Sequence, residues 1–252
     1  MRVISACAAC VVGAVVALAS PVAAQSASGP VVCDGSISAR TTIRSDVIVP
    51  PGKSCSIDGT VIGNVYGQGN IRGESGLLPG AFVVIFGKVD GDVYSQGDPS
   101  LVGVVPGAVV VIYGTVTGNG YGQPGAFELV VSGGGLLRGD LFGSRMNYLI
   151  VQSGTVRGSV RADNMTLFPF GEASVQLNDG NVGDDVTIST TDLVVFFGSQ
   201  VKGDATITGS RTVLVGDNVV SGDLTCLDNA SVSLLGSPSV VHGEAKGQCA
   251  NL

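Results

Sequence analysis

The chain has little of what most catalytic and nucleic-acid-binding sites are built from. Its 252 residues include a single histidine, His242, and no tryptophan, and charged residues make up only 13% of the sequence. One histidine argues against histidine-based catalytic triads and histidine-rich metal sites. Because the formal net charge is −7, no basic surface is expected to neutralise phosphates, so nucleic acid is not an expected partner.

Helical periodicity is missing as well. No segment keeps apolar residues at a sustained helical spacing, whereas Val, Ile, Leu and Thr alternate with polar residues in short runs throughout the chain. The 39 glycines, with 10 prolines and no collagen-like triplet, indicate many tight corners rather than disorder. The expected fold class is therefore all-β.

A glycine followed by a short polar or acidic residue, with aliphatic residues two positions away, recurs nine times. The fullest copies are GTVIGNV (59–65), GKVDGDV (87–93), GTVTGNG (114–120) and GTVRGSV (154–160). Successive glycines of this motif lie 28, 27, 21, 19, 25, 20, 19 and 21 residues apart. A period of about twenty residues is typical of a solenoid, in which each unit buries its apolar face by stacking on its neighbours.

The repeat predicts one domain, a right-handed parallel β-helix of about nine to ten turns over residues 25–252. A spacing that drifts between 19 and 28 residues argues against a left-handed hexapeptide helix. The longer intervals (63–91, 91–118 and 158–183) predict loop insertions, for example at 97–99 and 168–172. Turns stacked about 4.8 Å apart would give a rod roughly 45 Å long.

The N-terminal segment has the pattern of an export signal. Arg2 supplies a positive start, residues 3–19 are small and mostly apolar, and VAA (22–24) matches a small-residue cleavage site. We expect residues 1–24 to be a signal peptide and the mature chain to be secreted, periplasmic or at the cell surface; a membrane anchor is the alternative. No other segment is long and apolar enough to predict a transmembrane span.

Four of the six cysteines follow this segment, and they fall into two pairs about one repeat apart. Cys33 and Cys55 are separated by 22 residues, and Cys226 and Cys249 by 23. Residues one turn apart lie on adjacent strands, about 5 Å from each other, which is a Cα distance that a disulfide tolerates. We therefore expect disulfides Cys33–Cys55 and Cys226–Cys249, one at each end of the stack, formed in an oxidising compartment. Free thiols in a reducing compartment are the alternative.

In-register stacking would place equivalent repeat positions in columns along the rod. Aromatic residues occur three positions after the repeated glycine in four consecutive turns, and an amide column runs beside them. By strand alternation both columns face outward, where they would bind sugar rings or a partner, or simply stabilise neighbouring strands. The candidate binding face consists of Tyr66, Gln68, Tyr94, Gln96, Tyr121, Gln123 and Phe142.

A polar column directly follows the repeated glycine. Stacked carboxylates repel unless a cation such as Ca²⁺ bridges them, but Asp and Asn at corners also bond their own backbone two residues on. The second explanation is favoured, so no metal site, cofactor or catalytic residue is assigned. Asp179, Asp184, Asp185 and Asp204, with Lys202, match no catalytic signature. The column consists of Asn64, Asp92, Asn119, Asp140, Ser159, Asp184, Asp204, Asp223 and Glu244.

The recurring G-x-V-x-G-[DN]-[VL] core over residues 33–249 resembles that of bactofilins, bacterial β-helical proteins that polymerise end to end. The chain also looks like exported bacterial β-helix proteins without assigned activity. Those open with a strand run and a cysteine, as in Cys33…VIVPPGKSC, and close with a cysteine-containing cap, here GDLTC (222–226) and GQC (247–249). The resemblance implies a β-helical fold, and the bactofilin likeness implies filament formation. Bactofilin turns are shorter and more regular, and most bactofilins are cytosolic and lack disulfides.

These features predict an exported, non-enzymatic structural or binding module of the cell exterior or periplasm. One alternative is a polysaccharide-binding or polysaccharide-degrading protein that uses the face formed by residues 66–142. The other is a filament-forming scaffold of the bactofilin kind. The corresponding partners are a polysaccharide, a cell-envelope component or further copies of the chain.

Overall fold

Three parallel β-sheets run along the whole molecule. The computed structural model describes residues 29–73, 76–98, 100, 106–165 and 174–252. Within these residues each turn contributes one strand to each sheet in the same order, giving sheet 1 eleven strands and sheets 2 and 3 ten strands each. The chain is therefore a parallel β-helix of ten turns and one further strand, which confirms the fold class predicted from the repeat. Its right-handed coil remains the expectation, because parallel crossovers are right-handed in nearly all proteins.

The strands are short, and their bounds follow the repeat. Sheet 1 contains Val31–Val32, Val47–Val49, Val65–Gly67, Val93–Ser95, Gly120–Gly122, Leu141–Ser144, Val160–Met165, Val186–Thr191, Ala205–Thr208, Leu224–Leu227 and Ala245–Gly247. Sheet 2 contains Gly35–Ile37, Ser54–Ile57, Phe82–Ile85, Val109–Ile112, Glu128–Ser132, Tyr148–Gln152, Ser174–Asn178, Leu193–Phe197, Thr212–Gly216 and Ser231–Leu234. Sheet 3 contains Thr42–Ile43, Thr60–Val61, Lys88–Val89, Thr115–Val116, Leu136–Leu137, Thr155–Val156, Asn181–Val182, Gln200–Val201, Val219–Val220 and Val240–Val241.

The core is a continuous column of aliphatic side chains inside the coil. Val61 and Val65, which flank the repeated glycine, are fully buried, while Ile62 lies outside and Asn64 and Tyr66 are half-buried. Each two-residue strand of sheet 3 places its second residue in register with Val61 or an equivalent aliphatic of the next turn. Burying each such side chain contributes about 1.5–3 kcal/mol, and it does so only because another turn lies above and below.

In the later turns, two corners bend at single residues in the left-handed region. Between sheets 2 and 3, this position has φ from 51° to 76° in six successive turns, at Gly133, Ser153, Asp179, Gly198, Asp217 and Gly236. Where the chain leaves sheet 1 for sheet 2, at the end of the sheet 1 strand or just after it, φ is 50° to 61° in five successive turns, at Arg145, Asn164, Thr190, Gly209 and Asp228. Gly, Asn and Asp adopt this conformation at low cost, but a β-branched residue such as Thr190 is strained there.

The three longer repeat intervals all fall between a sheet 1 strand and the following sheet 2 strand. In the first, the chain forms an antiparallel hairpin of strands Ile71–Gly73 and Gly76–Leu78. The insertions predicted at 97–99 and 168–172 lie wholly or partly outside the described residues. The strands on either side of these intervals stay paired with their neighbours, so the register of the three sheets continues across them.

Both predicted disulfides are present and join neighbouring turns at the two ends of the stack. The Cα atoms are 5.8 Å apart in Cys33–Cys55 and 5.2 Å apart in Cys226–Cys249. The bonded cysteines are not directly opposite each other, since Cys55 pairs in register with Gly35 and Cys226 with Gly247. Cys33 lies two residues before Gly35, and Cys249 lies two residues after Gly247, each at a corner. This offset explains why separations of 22 and 23 residues suit a disulfide here.

The N-terminal segment lies outside the described residues, and with it the predicted signal peptide of residues 1–24 and its boundary with the mature domain. Among the residues that are described, no helix is long and apolar enough to cross a membrane. In this described part of the chain, the single helical element is the 3-10 turn Gln248–Asn251, which follows the last strand. Leu252, just after it, packs against the end of the core.

The strained corner at Thr190 yields a prediction on stability. Thr190→Gly should raise the free energy of unfolding by about 0.5–1 kcal/mol, because glycine accepts a positive φ that costs an L-residue about 1–2 kcal/mol. The matched control is Thr206→Gly in the middle of a sheet 1 strand, which should lower stability by a similar amount. Urea unfolding followed by circular dichroism measures both, and a loss of stability in both variants would contradict the assignment of strain.

Candidate functional site

The predicted aromatic column exists as a continuous stack on the outer face of sheet 1. Tyr66 and Tyr94 have ring centroids 4.8 Å apart with planes 8° from parallel. Tyr94 and Tyr121 follow at 5.0 Å and 14°, and Tyr121 and Phe142 at 5.3 Å and 8°. The strand register places these four residues directly opposite one another. The column therefore results from uninterrupted pairing of four turns.

The stacking decides which part of each ring is available to a ligand. Tyr94 and Tyr121 each have an aromatic neighbour against both faces, so they present ring edges to solvent. A sugar stacks on the face of an aromatic ring rather than on its edge. The geometry therefore favours the stabilising role of these two rings, and the binding role of the column stays a prediction.

Beside the rings runs a ladder of Asn and Asp side chains, which we call the Asx ladder. Each Oδ1 accepts a hydrogen bond of 2.7–2.9 Å from the backbone N–H of the equivalent residue one turn further on. The expectation that these side chains bond their own backbone two residues on was wrong, because the neighbouring turn offers an N–H at the same corner. The accepting residues are Asp46, Asn64, Asp92, Asn119, Asp140, Asp185, Asp204 and Asp223.

The Asx ladder differs from the predicted column in its start and in the GDDV segment, and Ser159 and Glu244 of that column only donate their backbone N–H to it. Asp46 begins the ladder, although Ser45 replaces the glycine that marks the other turns. In the GDDV segment (183–186) the strand register selects Asp185 rather than Asp184, and the Oδ1 of Asp185 accepts from the N–H of Asp204. Asp184 instead accepts a bond from the Ser159 hydroxyl, so the ladder is interrupted between Ser159 and Asp185.

The Asx ladder and the tyrosines are joined by hydrogen bonds within each turn. The amides of Asn64 and Asn119 donate to the hydroxyls of Tyr66 and Tyr121, at 3.2 and 3.0 Å. In the turn between them, the Tyr94 hydroxyl donates to Asp92, at 3.3 Å. Burial, together with the Asp92 carboxylate, raises the pKa of Tyr94 to about 12. The Tyr94 phenol is therefore held neutral inside this bonded network.

At the C-terminal end of the ladder, successive carboxylates are compensated by a cation. The Lys246 ammonium bonds to Asp223 and forms an ion pair with Glu244 at 3.4 Å. The bond from Lys246 holds the pKa of Asp223 below its usual value. The carboxylates of these two neighbouring turns are thus bridged by a side-chain ammonium. Among the described residues, no group of three His, Cys, Asp or Glu side chains is placed to hold a metal ion.

The other acidic residues singled out from the sequence do not form one cluster. Asp185 and Asp204 are neighbours in the Asx ladder, before the sheet 1 strands. Asp179 lies at the other end of a sheet 3 strand, at the corner that follows Ser174–Asn178. A shared catalytic site containing Asp179 and Asp185 is therefore not formed.

The predicted glutamine column is partly linked side chain to side chain. Gln68, Gln96 and Gln123 are half-buried at equivalent positions just after the sheet 1 strands. The Gln96 amide donates to the Gln123 carbonyl, at 3.3 Å. Backbone bonds also fix each glutamine, for example from the Gln96 N–H to the Gly67 carbonyl, at 3.0 Å.

One end of the candidate face borders a groove. Tyr121, Gln123 and Phe142 line a cavity of about 480 Å³ together with Arg161 and Asp163. Tyr66, Gln68, Tyr94 and Gln96 lie outside its lining. The structure thus brings three of the seven predicted binding residues to a concave surface that also carries one positive and one negative side chain.

A second exposed surface was missed by sequence reasoning: the outer side of sheet 2, called here the sheet 2 face. Its central column is nearly all aliphatic, and it continues into a cleft of about 560 Å³ lined by Pro79, Phe82 and Phe127. The signal in the sequence is the loss of alternation in FVVIF (82–86), VVVIY (109–113) and LVVFF (193–197). Such runs are typical of parallel strands with apolar residues on both faces. The central column is Val84, Val111, Val130, Ile150, Gln176, Val195 and Leu214.

The Tyr94–Asp92 contact makes a testable prediction about alkaline stability. A folded-state pKa of about 12, above the ordinary 10.0, means that neutral Tyr94 contributes stability below pH 10 that is lost as the pH rises through 12. Asp92→Asn should lower this pKa towards 10.0, because it removes the neighbouring charge and keeps an Oδ1 acceptor for Asn119. Ultraviolet titration of tyrosinate measures the shift, and Tyr94→Phe identifies which step belongs to Tyr94. An unchanged titration in Asp92→Asn would contradict the coupling.

No protein-family model, no curated protein and no solved structure matches this chain. The resemblance to bactofilins and to exported β-helix proteins therefore stays a prediction from the repeat motif.

Proposed function

We propose that this chain is an exported β-helix that acts as a non-enzymatic structural or binding module at the cell exterior or in the periplasm. The observation that carries the proposal is the Asx ladder with its tyrosines. The side chains that offer acid–base groups along sheet 1 are bonded to the next turn's backbone or to each other. They therefore hold the rod together instead of standing free for chemistry.

Export is supported by the two disulfides and by the N-terminal sequence. Cys33–Cys55 and Cys226–Cys249 each tie a terminal turn to its neighbour, and disulfides persist in oxidising compartments. Closing loops of 22 and 23 residues stabilises a fold by about 3 kcal/mol each in the chain-entropy account. A rod whose two terminal turns are each cross-linked by a disulfide suits a location outside the cytosol, where the protein has to stay folded.

The test of this proposal is expression of the full chain in a bacterial host with an intact secretion system. The expected product outside the inner membrane starts at Gln25 and carries both disulfides, as read by intact mass and by a non-reduced peptide map. Ala24→Asp, which disturbs the predicted cleavage site, should leave the leader attached. A cytosolic product with four free thiols and an uncleaved N-terminus would refute export.

A second candidate function is polysaccharide binding, and the groove beside Phe142 favours it. Phe142 and the ring edge of Tyr121 provide the apolar lining, while Gln123, Arg161 and Asp163 offer hydrogen-bonding groups in one concavity of about 480 Å³. This volume lies within the usual range for ligand sites, which combine an apolar lining with a few polar groups. Under this hypothesis, a polysaccharide binds at the Phe142 end of the face formed by residues 66–142.

A glycan array on the purified mature protein tests this second function. If the groove binds sugar, Phe142→Ala and Arg161→Ala should each reduce binding about tenfold or more, which corresponds to losing about 1.4 kcal/mol. Tyr66→Ala is the matched control, since it removes a ring of the same column outside the groove and should leave binding unchanged. Absence of binding by the wild-type protein would eliminate the hypothesis.

The C-terminal end of the rod gives less support to filament formation of the bactofilin kind. End-to-end stacking uses open terminal strands, but the chain continues from its last strand into the turn Gln248–Asn251. The Cys226–Cys249 disulfide fastens that turn, and Leu252 covers part of the core. Axial growth at this end would have to displace a covalently fastened cap.

A further inference from the structure

We propose that the sheet 2 face is the contact surface of a dimer formed with a second copy of this chain. The inference deepens the proposed function by naming the partner of the module, and it rests on that function. It concerns the side of the rod rather than its ends, so it is distinct from end-to-end filament growth.

The sheet 2 face exposes large apolar side chains in successive turns. Phe82 is 47% exposed, Phe86 55% and Tyr113 42%. Phe86 and Tyr113 stack on each other at 5.3 Å, which forms a rigid aromatic ridge beside the central aliphatic column. Contiguous apolar patches of this kind are uncommon on monomers and mark interaction sites.

The other two outer faces differ from the sheet 2 face in composition. The outward column of sheet 1 changes from Phe142 to Arg161 and then to threonines, beginning with Thr187. Sheet 3 presents mainly polar side chains outward, such as Lys88 and Thr115, with Leu136, Val219 and Val240 as apolar exceptions. Among the described strands, an aliphatic column that extends over most turns is thus found on the outer side of sheet 2 alone. Selection of β-forming residues for strands would affect all three sheets alike, so it does not explain this column.

Charge is nearly absent from the same face. In the turns from Phe82 to Ser231, the outward positions of the sheet 2 strands include one ionisable carboxylate, Glu128, and no lysine or arginine. Burial raises the pKa of Glu128, which reduces the cost of covering it. Two copies of a chain with a formal charge of −7 repel each other, and this face is where they approach with the least repulsion.

The size of the face matches what a stable dimer buries. The eight paired strands from Phe82–Ile85 to Ser231–Leu234, spaced about 4.8 Å apart and about five residues wide, outline a surface of roughly 38 by 16 Å, or about 600 Å². Specific, stable protein–protein interfaces bury about 600–1,000 Å² on each partner. Continuous register without a bulge lets two such faces meet along their length, and an isologous contact needs only this one surface.

The experiment is sedimentation analysis of the disulfide-intact mature protein at about 100 µM, where an interface of this size is expected to be occupied. The wild type should have the mass of two chains. The single variants Val111→Lys and Val195→Lys each place an ammonium in one half of the central column. Each should reduce the mass measured by sedimentation twofold, to that of one chain. Val219→Lys is the matched control, because Val219 is 39% exposed on the outer side of sheet 3, and it should remain dimeric.

Circular dichroism and the peptide map of the disulfides establish that each variant is folded. A wild type that stays monomeric, or folded Val111→Lys and Val195→Lys variants that remain dimers of unchanged sedimentation, would overturn the proposal. Monomeric wild type that instead cosediments with phosphatidylcholine vesicles would overturn it as well and assign the face to a lipid surface. A monomer exported with both disulfides would refute the dimer alone, whereas a cytosolic thiol form would refute the proposed function.

Discussion

In-register pairing between successive turns is the constraint on which the rest of this protein depends. A strand of two or three residues has no stability by itself, and it forms because strands above and below satisfy its backbone groups. The same pairing places Val61 on Val89 and Tyr66 on Tyr94. Core, aromatic column and Asx ladder are therefore consequences of one register, and a slip in one turn would disrupt all three.

The polar ladder and the apolar face represent two different uses of the outer surface. Along sheet 1, the Oδ1 atoms of Asn64 and Asp92 accept hydrogen bonds from the backbone N–H of the next turn, and the tyrosine rings stack on each other. The hydrogen-bonding groups and ring faces on that side therefore already have partners within the chain. On sheet 2, Phe82 and Phe86 remain exposed, and the hydrophobic effect favours covering them. The sheet 2 face, whose burial would be favourable, is thus not the surface with the most conspicuous sequence motif, which lies on sheet 1.

Much of the fold could be predicted from the sequence, because the repeat encodes it locally. The glycine period defined the turns, alternation around Gly63 assigned Val61 and Val65 to the core, and the cysteine spacing identified both disulfides. The site was less predictable. The motif assigned Asp184, which directly follows Gly183, to the polar column, and this was wrong because pairing of Val160 with Val186 places Asp185 in the ladder. Asp46 lacked the preceding glycine, so the motif did not include it.

The sequence by itself determined the solenoid, its turns and its cystine pairs, since each depends on residue type and separation along the chain. Only the tertiary structure decided that the ring faces of Tyr94 are covered, that ladder oxygens bond the neighbouring turn, and that Phe142 borders a groove. These properties depend on which residues about twenty positions apart meet, and at which angle. Hydrogen-bond register sets that geometry, and insertions of differing length between turns hide it from any fixed spacing.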